Sequence, residues 1–279
     1  MKLVVNYLKE VEELFEEGKI DFVDYFKLYS LNEDISALDW CIAHRPVMFH
    51  GIIGKASMFG EKNLIENTDI YKTKEILEKS KTPYLSGHIS TNDTTQTLEE
   101  TLAIIKENIT NYKKVFGKNI ALENIPYRKR YEHCTYLINP EIISKIVYEN
   151  DCMFLFDISH ARKAAEYFKM TFEEYVSKLP MDRVIEFHLA GMYTCRDGVK
   201  MDYHGKMNEE DYEFLEDAIK KYPTLQYITL EYGSYLPKDK SHLLDGENLP
   251  LASFEAVNPK VKEEVYNQLI RIKEIMDRY

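Results

Sequence analysis

The chain has 279 residues, of which 44% are hydrophobic and 30% are charged, so it can bury a large core beneath a well-solvated surface. Lys and Arg total 36 against 47 Asp and Glu, and the net charge of −11 makes the chain a poor non-specific partner for nucleic acid or anionic membrane. We expect no signal peptide or membrane span, and the four scattered cysteines predict reduced thiols in a cytoplasmic protein.

Short apolar runs alternate with charged segments along the chain. The predicted strands are 2–7, 22–29, 47–50, 84–88, 119–125, 153–157, 184–189 and 227–231. Between them, apolar residues recur at three- and four-residue steps, as in 97–108 and 209–221, which predicts amphipathic helices. A further long amphipathic helix is predicted over 261–277.

Eight strand–helix units in a chain of this length predict an α/β fold, a single (β/α)8 TIM barrel that forms one domain over residues 1–279. Strands alternating with helices imply parallel pairing, and near-continuous apolar strands imply burial on both faces. A doubly wound sheet is the structural alternative. It normally has a glycine-rich phosphate turn after the first strand, and the segment NYLKEVEE is not one.

Polar residues stand where the predicted strands end, which is the edge at which barrel enzymes build their active sites. Five of the eight histidines and four carboxylates occupy these ends or the loops that follow them. They are His50, His88, Glu123, Asp157, His160, His188, Asp202, His204 and Glu231. Because the ends of parallel strands meet at one rim, we expect these nine side chains to converge.

The nine residues predict a metal centre. Imidazole and carboxylate groups are ligands of zinc, iron and manganese, and crowded carboxylates repel one another unless a cation lies between them. Nine ligands exceed the need of one ion, which takes about four to six, so we predict two or three ions bridged by carboxylates. Each residue alone also has an ordinary structural interpretation, for example a helix cap or a hydrogen-bonded histidine.

Basic residues follow the fifth and sixth predicted strands. Solvated loop charge is one interpretation of them. The other is a docking site for an anionic part of a substrate, such as a phosphate or a peptide carboxylate. On the second interpretation the predicted substrate-binding residues are Asn124, Arg128, Arg130 and Arg162.

Several segments together resemble the multinuclear non-heme iron-dependent oxidase family, which shares the xylose-isomerase-like barrel and modifies cysteine in ribosomally made peptides. They are VDYF (23–26), RPVMFHG (45–51), LSGH (85–88), ALEN (121–124), FHLAG (187–191), DYHG (202–205) and TLE (229–231). The resemblance implies two or three iron ions among the nine residues, with zinc or manganese as alternatives. It also implies a cysteine-containing peptide as substrate and a separate peptide-recognition protein as partner.

The chain departs from the family pattern at three places. His160 stands where asparagine is usual, Lys27 stands where an acidic residue is usual, and Tyr232-Gly233 replace Arg-Asp after the final glutamate. The pair Asp157 and His160 instead resembles the Asp-x-x-His pattern of endonuclease IV, which cuts DNA at abasic sites with zinc. That family's His-Pro-Gly and glycine-rich DNA-binding loop signatures are not found in this sequence.

Four functions follow from these observations, with the peptide oxidase as the leading one. The second is a zinc phosphodiester hydrolase. The third is a metal-dependent sugar isomerase or epimerase, in which Glu123 or Glu231 would be catalytic and move a proton. The fourth is a barrel that stores or senses metal. The long polar stretch 237–258 is predicted to form a lid over the site.

Overall fold

The computed structural model describes residues 1–29, 35–51, 58–194, 200–233 and 257–279. Two predictions fall outside this part of the chain. The predicted lid lies outside it except for its last two residues, and the side chain of Arg130 is also outside it.

Eight parallel strands close into a barrel, which confirms the predicted fold class. The barrel strands are β1 (Lys2–Asn6), β2 (Tyr25–Tyr29), β3 (Val47–His50), β4 (Leu85–His88), β5 (Ile120–Glu123), β6 (Met153–Asp157), β7 (Val184–Leu189) and β10 (Tyr227–Leu230). Their order around the barrel is β1-β10-β7-β6-β5-β4-β3-β2, and each pairs in parallel with its neighbours. Each predicted strand is present to within three residues at its ends, and the doubly wound alternative is wrong.

Helices surround the barrel. They are α1 (Lys9–Glu16), α2 (Ile35–His44), α3 (Ile70–Ser80), α4 (Leu98–Phe116), α5 (Pro140–Glu149), α6 (Ile158–Phe168), α7 (Phe172–Ser177), α8 (Glu209–Lys221) and α9 (Pro259–Met276). Capping boxes begin α4 and α8, and the Asn258 side chain caps α9 ahead of a proline at its first position. Within the described ranges, no helix is both long and apolar enough to span a membrane.

The barrel interior changes from apolar to polar along the strands. An apolar cluster fills the end where the strands begin, and it comprises Val4, Met48, Tyr84, Ala121, Leu155, Ile185 and Tyr227. Since alternate side chains of a strand point to the same face, residues two or four positions further on also face the interior. Glu123 follows Ala121 in this way and Asp157 follows Leu155. The alternation of side chains that places apolar residues in the barrel interior therefore also places the predicted ligands at its rim.

An antiparallel hairpin follows β7 and was not predicted. Its strands are β8 (Gly191–Thr194) and β9 (Lys200–Gly205). Asp202 and His204 lie on β9, so the prediction that they belong to a loop is wrong. The two strands pair with each other outside the barrel sheet and lack a buried apolar run, so the sequence carried little signal for them.

Gly191 limits how the hairpin can leave β7. A β-carbon at this position would lie 1.8 Å from the carbonyl oxygen of Lys206. Gly191→Ala must therefore push apart the two ends of the hairpin. We expect it to lower the free energy of unfolding in urea by about 3 kcal/mol, the upper end of the usual cost of overpacking, and to accelerate hydrogen exchange in β8 and β9.

Gly117→Ala is the control for this prediction. A β-carbon at Gly117 has nothing within 4 Å, so the change adds only the strain of its φ of +62°. That strain is about 1–2 kcal/mol. Equal losses of stability in the two variants, with unchanged exchange in the hairpin, would contradict the close packing at Gly191.

Candidate metal centre

The nine predicted ligands lie together at the carboxyl ends of the barrel strands, and we call them the rim cluster. Four of them are the last residues of the consecutive strands β3 to β6: His50, His88, Glu123 and Asp157. The others are placed by the elements that follow: His160 by the first turn of α6, His188 by β7, Asp202 and His204 by β9, and Glu231 directly after β10.

Glu123 lies at the middle of the rim cluster and is buried. Its Oε2 is 2.9 Å from Nε2 of His50 and 3.1 Å from Nε2 of His88. Its Oε1 is 3.1 Å from Nδ1 of His188 and 3.6 Å from Nδ1 of His160. One carboxylate therefore contacts imidazoles from four different elements of the barrel.

Asp202 and Glu231 continue the cluster on the side of the hairpin. Asp202 Oδ2 lies 3.2 Å from Nε2 of His160. Glu231 lies 3.0 Å from Nδ1 of His188 and 3.3 Å from Nδ1 of His204. The backbone of His204 has a φ of +48°, a left-handed conformation that costs a non-glycine residue energy and is often found at functional sites.

Three groups of ligand atoms could each hold a metal ion, because the atoms of each group lie within 4.8 Å of one another. The groups are His50, His88 and Glu123; Glu123, Asp157 and His160; and Asp157, His204 and Glu231. Glu123 belongs to two groups and so does Asp157, an arrangement that suits carboxylates bridging neighbouring ions. His188 and Asp202 belong to none of the three but contact their members.

Several buried polar atoms of the rim cluster form no hydrogen bond within the described part of the chain. They are Glu123 Oε2, Asp157 Oδ2, Asp202 Oδ1, His204 Nδ1 and Glu231 Oε1. Three of them lie within 3.3 Å of a potential ion-pair partner, whereas Asp157 Oδ2 and Asp202 Oδ1 have no such partner among the described residues. Buried polar atoms of this kind are costly, and a cation satisfies carboxylate oxygens and imidazole nitrogens at once. The donor set therefore fits metal ions.

The carboxylates draw protons onto three of the histidines. Burial alone would favour the neutral imidazole of His160, but Asp157 and Asp202 outweigh it and raise its pKa to about 10. Burial likewise opposes charge on His204, and Glu231 and Asp202 raise its pKa to about 9. Burial and Lys27 oppose charge on His188 as well, but Glu231 and Glu123 outweigh them and raise its pKa well above the ordinary value. The three imidazoles thus supply positive charge that offsets the carboxylates.

Burial dominates at two other members of the cluster. It lowers the pKa of His88 to about 3, so this imidazole is neutral at ordinary pH and can bind an ion without losing a proton. It raises the pKa of Asp157 to about 6, helped by the like charges of Asp202 and Glu123. Both shifts favour the uncharged form of the side chain, although the side chain of His88 is itself 25% exposed.

The predicted substrate-binding residues are placed differently from one another. Asn124 is buried and exchanges two hydrogen bonds with the backbone of Asp157, at 2.9 and 3.0 Å, so it braces the end of β6. Arg128 donates to the carboxylate of Asp202 at 2.7 Å and lies at the edge of the cluster.

Arg162 is directed towards the outer helices. It donates to Asp211 of α8 at 2.8 Å and lies over the ring of Phe172 of α7. The two arginines that follow neighbouring strands therefore lie in different places. Arg128 lies at the rim cluster, and Arg162, on α6, lies against the outer helices.

Sequence reasoning missed an ion pair directly beneath the cluster. Lys27 of β2 and Glu186 of β7 are fully buried, and Lys27 Nζ lies 2.5 Å from Glu186 Oε1. Strand alternation was the available signal, because Glu186 stands two positions before His188 and so faces the same interior.

Solved structures that resemble this one share its barrel. A D-tagatose 3-epimerase-like protein matches with a TM-score of 0.63 and 16% identity over 100% of this chain and 99% of that chain. The IOLI protein with a bound zinc atom matches with a TM-score of 0.58 and 14% identity over 99% and 96%. Endonuclease IV from Thermus thermophilus matches with a TM-score of 0.55 and 14% identity over 100% of both chains. These likenesses show the xylose-isomerase-like TIM barrel fold.

Sequence comparisons identify the family. A UPF0276 protein of Acaryochloris marina is 24% identical over 173 residues, which are 58% of this chain and 61% of that protein. A UPF0276 protein of Vibrio parahaemolyticus is 22% identical over 166 residues, 58% of this chain and 57% of that protein. The chain thus spans about three fifths of the length of these curated relatives. The family model for the RiPP precursor modification enzyme MbnB/TglH/ChrH matches residues 9–248, a range that contains the whole rim cluster. The chain therefore belongs to the MbnB/TglH/ChrH family of RiPP precursor modification enzymes.

Proposed function

We propose that this protein oxidatively modifies a cysteine-containing precursor peptide at a centre of two or three iron ions held by the rim cluster. One observation carries the proposal. Glu123 and Asp157 are each shared between adjoining groups of donor atoms in a single buried site, within a family that modifies peptides. Shared carboxylates hold ions close enough to act on one substrate together.

The donor chemistry suits iron. Imidazole nitrogens and carboxylate oxygens are its common ligands in enzymes without haem. His50 and His88 with Glu123 would hold one ion, and the groups joined through Asp157 would hold the others. When bound, iron would attract a cysteine thiolate and activate dioxygen.

The exposed members of the cluster indicate where a peptide would enter. The side chains of His88 and His204 are each 25% exposed, whereas those of His50, His160 and His188 are almost fully buried. Substrate thus approaches between β4 and β9. With substrate entering there, the three buried histidines would hold the ions and exclude water.

Arg128 lies beside this entry. It neutralises Asp202 while its side chain remains 31% exposed, so it can also face an arriving peptide. A guanidinium has five donors and can bind a carboxylate in addition to the one it already contacts. Arg128 is therefore the residue that we expect to orient an anionic part of the substrate.

A phosphodiester hydrolase is the second candidate. Asp157 and His160 fall in the same donor group, and this pair resembles the endonuclease IV pattern. In such a reaction, zinc ions held by these residues would lower the pKa of a bound water and neutralise the leaving oxygen. The two candidates differ in metal and in substrate, so one set of measurements separates them.

Protein purified without oxygen is expected to contain two or three iron ions per chain by elemental analysis. Its absorbance should change when a cysteine-containing peptide is added, because sulfur binds to the metal, and should not change with the same peptide carrying serine. Stoichiometric zinc together with cleavage of a DNA duplex at an abasic site would contradict the oxidase and support the hydrolase.

Metal uptake is expected to release protons. The pKa values of His160 and His204, about 10 and about 9, lie above the ordinary value, so both imidazoles stay protonated at pH 7 until an ion displaces the proton. We expect at least two protons to be released per chain at pH 7 and the metal affinity to rise with pH until both pKa values are passed.

Titration calorimetry with zinc, in two buffers of different ionisation enthalpy, measures this release. The control is His204→Gln, which should release about one proton fewer because one protonated imidazole has been removed. Proton release of zero in the unmodified protein, with an affinity independent of pH, would contradict the charge balance described for the rim cluster.

A further inference from the structure

A group of buried polar side chains lies inside the barrel one layer below the rim cluster. Lys27 and Glu186 are fully buried and form an ion pair of 2.5 Å. The hydroxyl of Thr229 donates to Glu186 Oε1 at 2.5 Å, and that of Tyr84 donates to Oε2 at 2.6 Å. We call Lys27, Tyr84, Glu186 and Thr229 the support layer.

The support layer contacts the rim cluster through His188. Nε2 of His188 lies 2.5 Å from Lys27 Nζ and 3.3 Å from Glu186 Oε1. On the other side of the ring, Nδ1 lies 3.1 Å from Glu123 and 3.0 Å from Glu231. One nitrogen of the imidazole thus faces the rim cluster, and the other faces the support layer.

Stability alone does not explain a buried ion pair at this position. The cost of removing two charges from water often equals or exceeds their attraction, and apolar residues of similar size commonly serve as well. The barrel accommodates such residues nearby, since Val4, Met48 and Leu155 fill the adjoining interior. The contacts that the pair makes therefore indicate its role better than its energy does.

We propose that Lys27 and Glu186 are positioning residues that together hold His188 with Nδ1 towards the metal centre. The inference rests on the proposed metal centre. The nitrogen of a metal-site histidine that faces away from the ions is usually held by a hydrogen-bonding partner, which fixes the ring. Here Lys27 Nζ is the nearest group to Nε2, and Glu186 in turn holds Lys27. Tyr84 and Thr229 occupy both oxygens of Glu186, so the carboxylate that faces His188 is itself held in place.

The test removes both charges together. The double variant Lys27→Met with Glu186→Gln keeps the approximate size of both side chains and leaves no uncompensated buried charge. We expect it to melt near the temperature of the unmodified protein but to bind one zinc ion about 10- to 100-fold more weakly, in competition with a chromophoric chelator. Lys27→Met alone leaves Glu186 unpaired and should lower the melting temperature far more.

The control is Glu10→Gln. Glu10 is another fully buried carboxylate, on α1, and it accepts a hydrogen bond from the amide of Asn258. Its replacement should leave every zinc affinity unchanged. If the double variant does not fold, Glu186→Gln alone is judged by the same zinc titration.

The outcomes separate this proposal from the proposed function. Unchanged affinity for every zinc ion in the folded double variant would overturn the role of Lys27 and Glu186 and leave the metal centre intact. Failure of the unmodified protein to bind zinc or iron would overturn the metal centre itself. Weaker binding of one ion at an unchanged melting temperature supports the proposal, because a merely structural role would not produce it.

Discussion

Glu123, Asp157, Asp202 and Glu231 are almost completely buried at one rim of the barrel, where their negative charges repel one another. Positively charged groups around the four carboxylates offset this repulsion. Protonated imidazoles lie between the carboxylates, Arg128 pairs with Asp202 from the outside, and a second ion pair lies below. Positive metal ions would replace protons in this arrangement, and the carboxylates shared between donor groups indicate where they would bind.

The barrel keeps these charges close together because its strands and their hydrogen bonds form a rigid frame. The strands fix the direction of each side chain, and the barrel interior below the rim is filled by the support layer and the apolar cluster. Two buried asparagines brace the ends of the strands. Asn124 holds the backbone of Asp157, and Asn6 exchanges two hydrogen bonds with the backbone of Tyr232, the residue after Glu231. Ligands on such a frame are positioned before any ion binds, which is what a metal site with several ions requires.

The sequence predicts the barrel and the rim cluster well because both depend on local patterns. Apolar runs mark the strands, and each polar residue at the end of a run must lie at the same rim once the strands are parallel. The hairpin was missed because its two strands pair only with each other. The ion pair of Lys27 and Glu186 was missed because it joins residues 159 positions apart across the barrel, and no local pattern records such a contact. The placements of Arg128 and Arg162 were also beyond prediction, since their partners lie 74 and 49 positions away.

The central claim is that one buried cluster binds several ions through shared carboxylates. Anomalous diffraction at the iron absorption edge, from crystals of the protein loaded without oxygen, tests it most directly. The account predicts two or three peaks within the rim cluster, with Glu123 and Asp157 each lying between two of them. A single peak bound by one group of donors, or no peak at the rim, would contradict it.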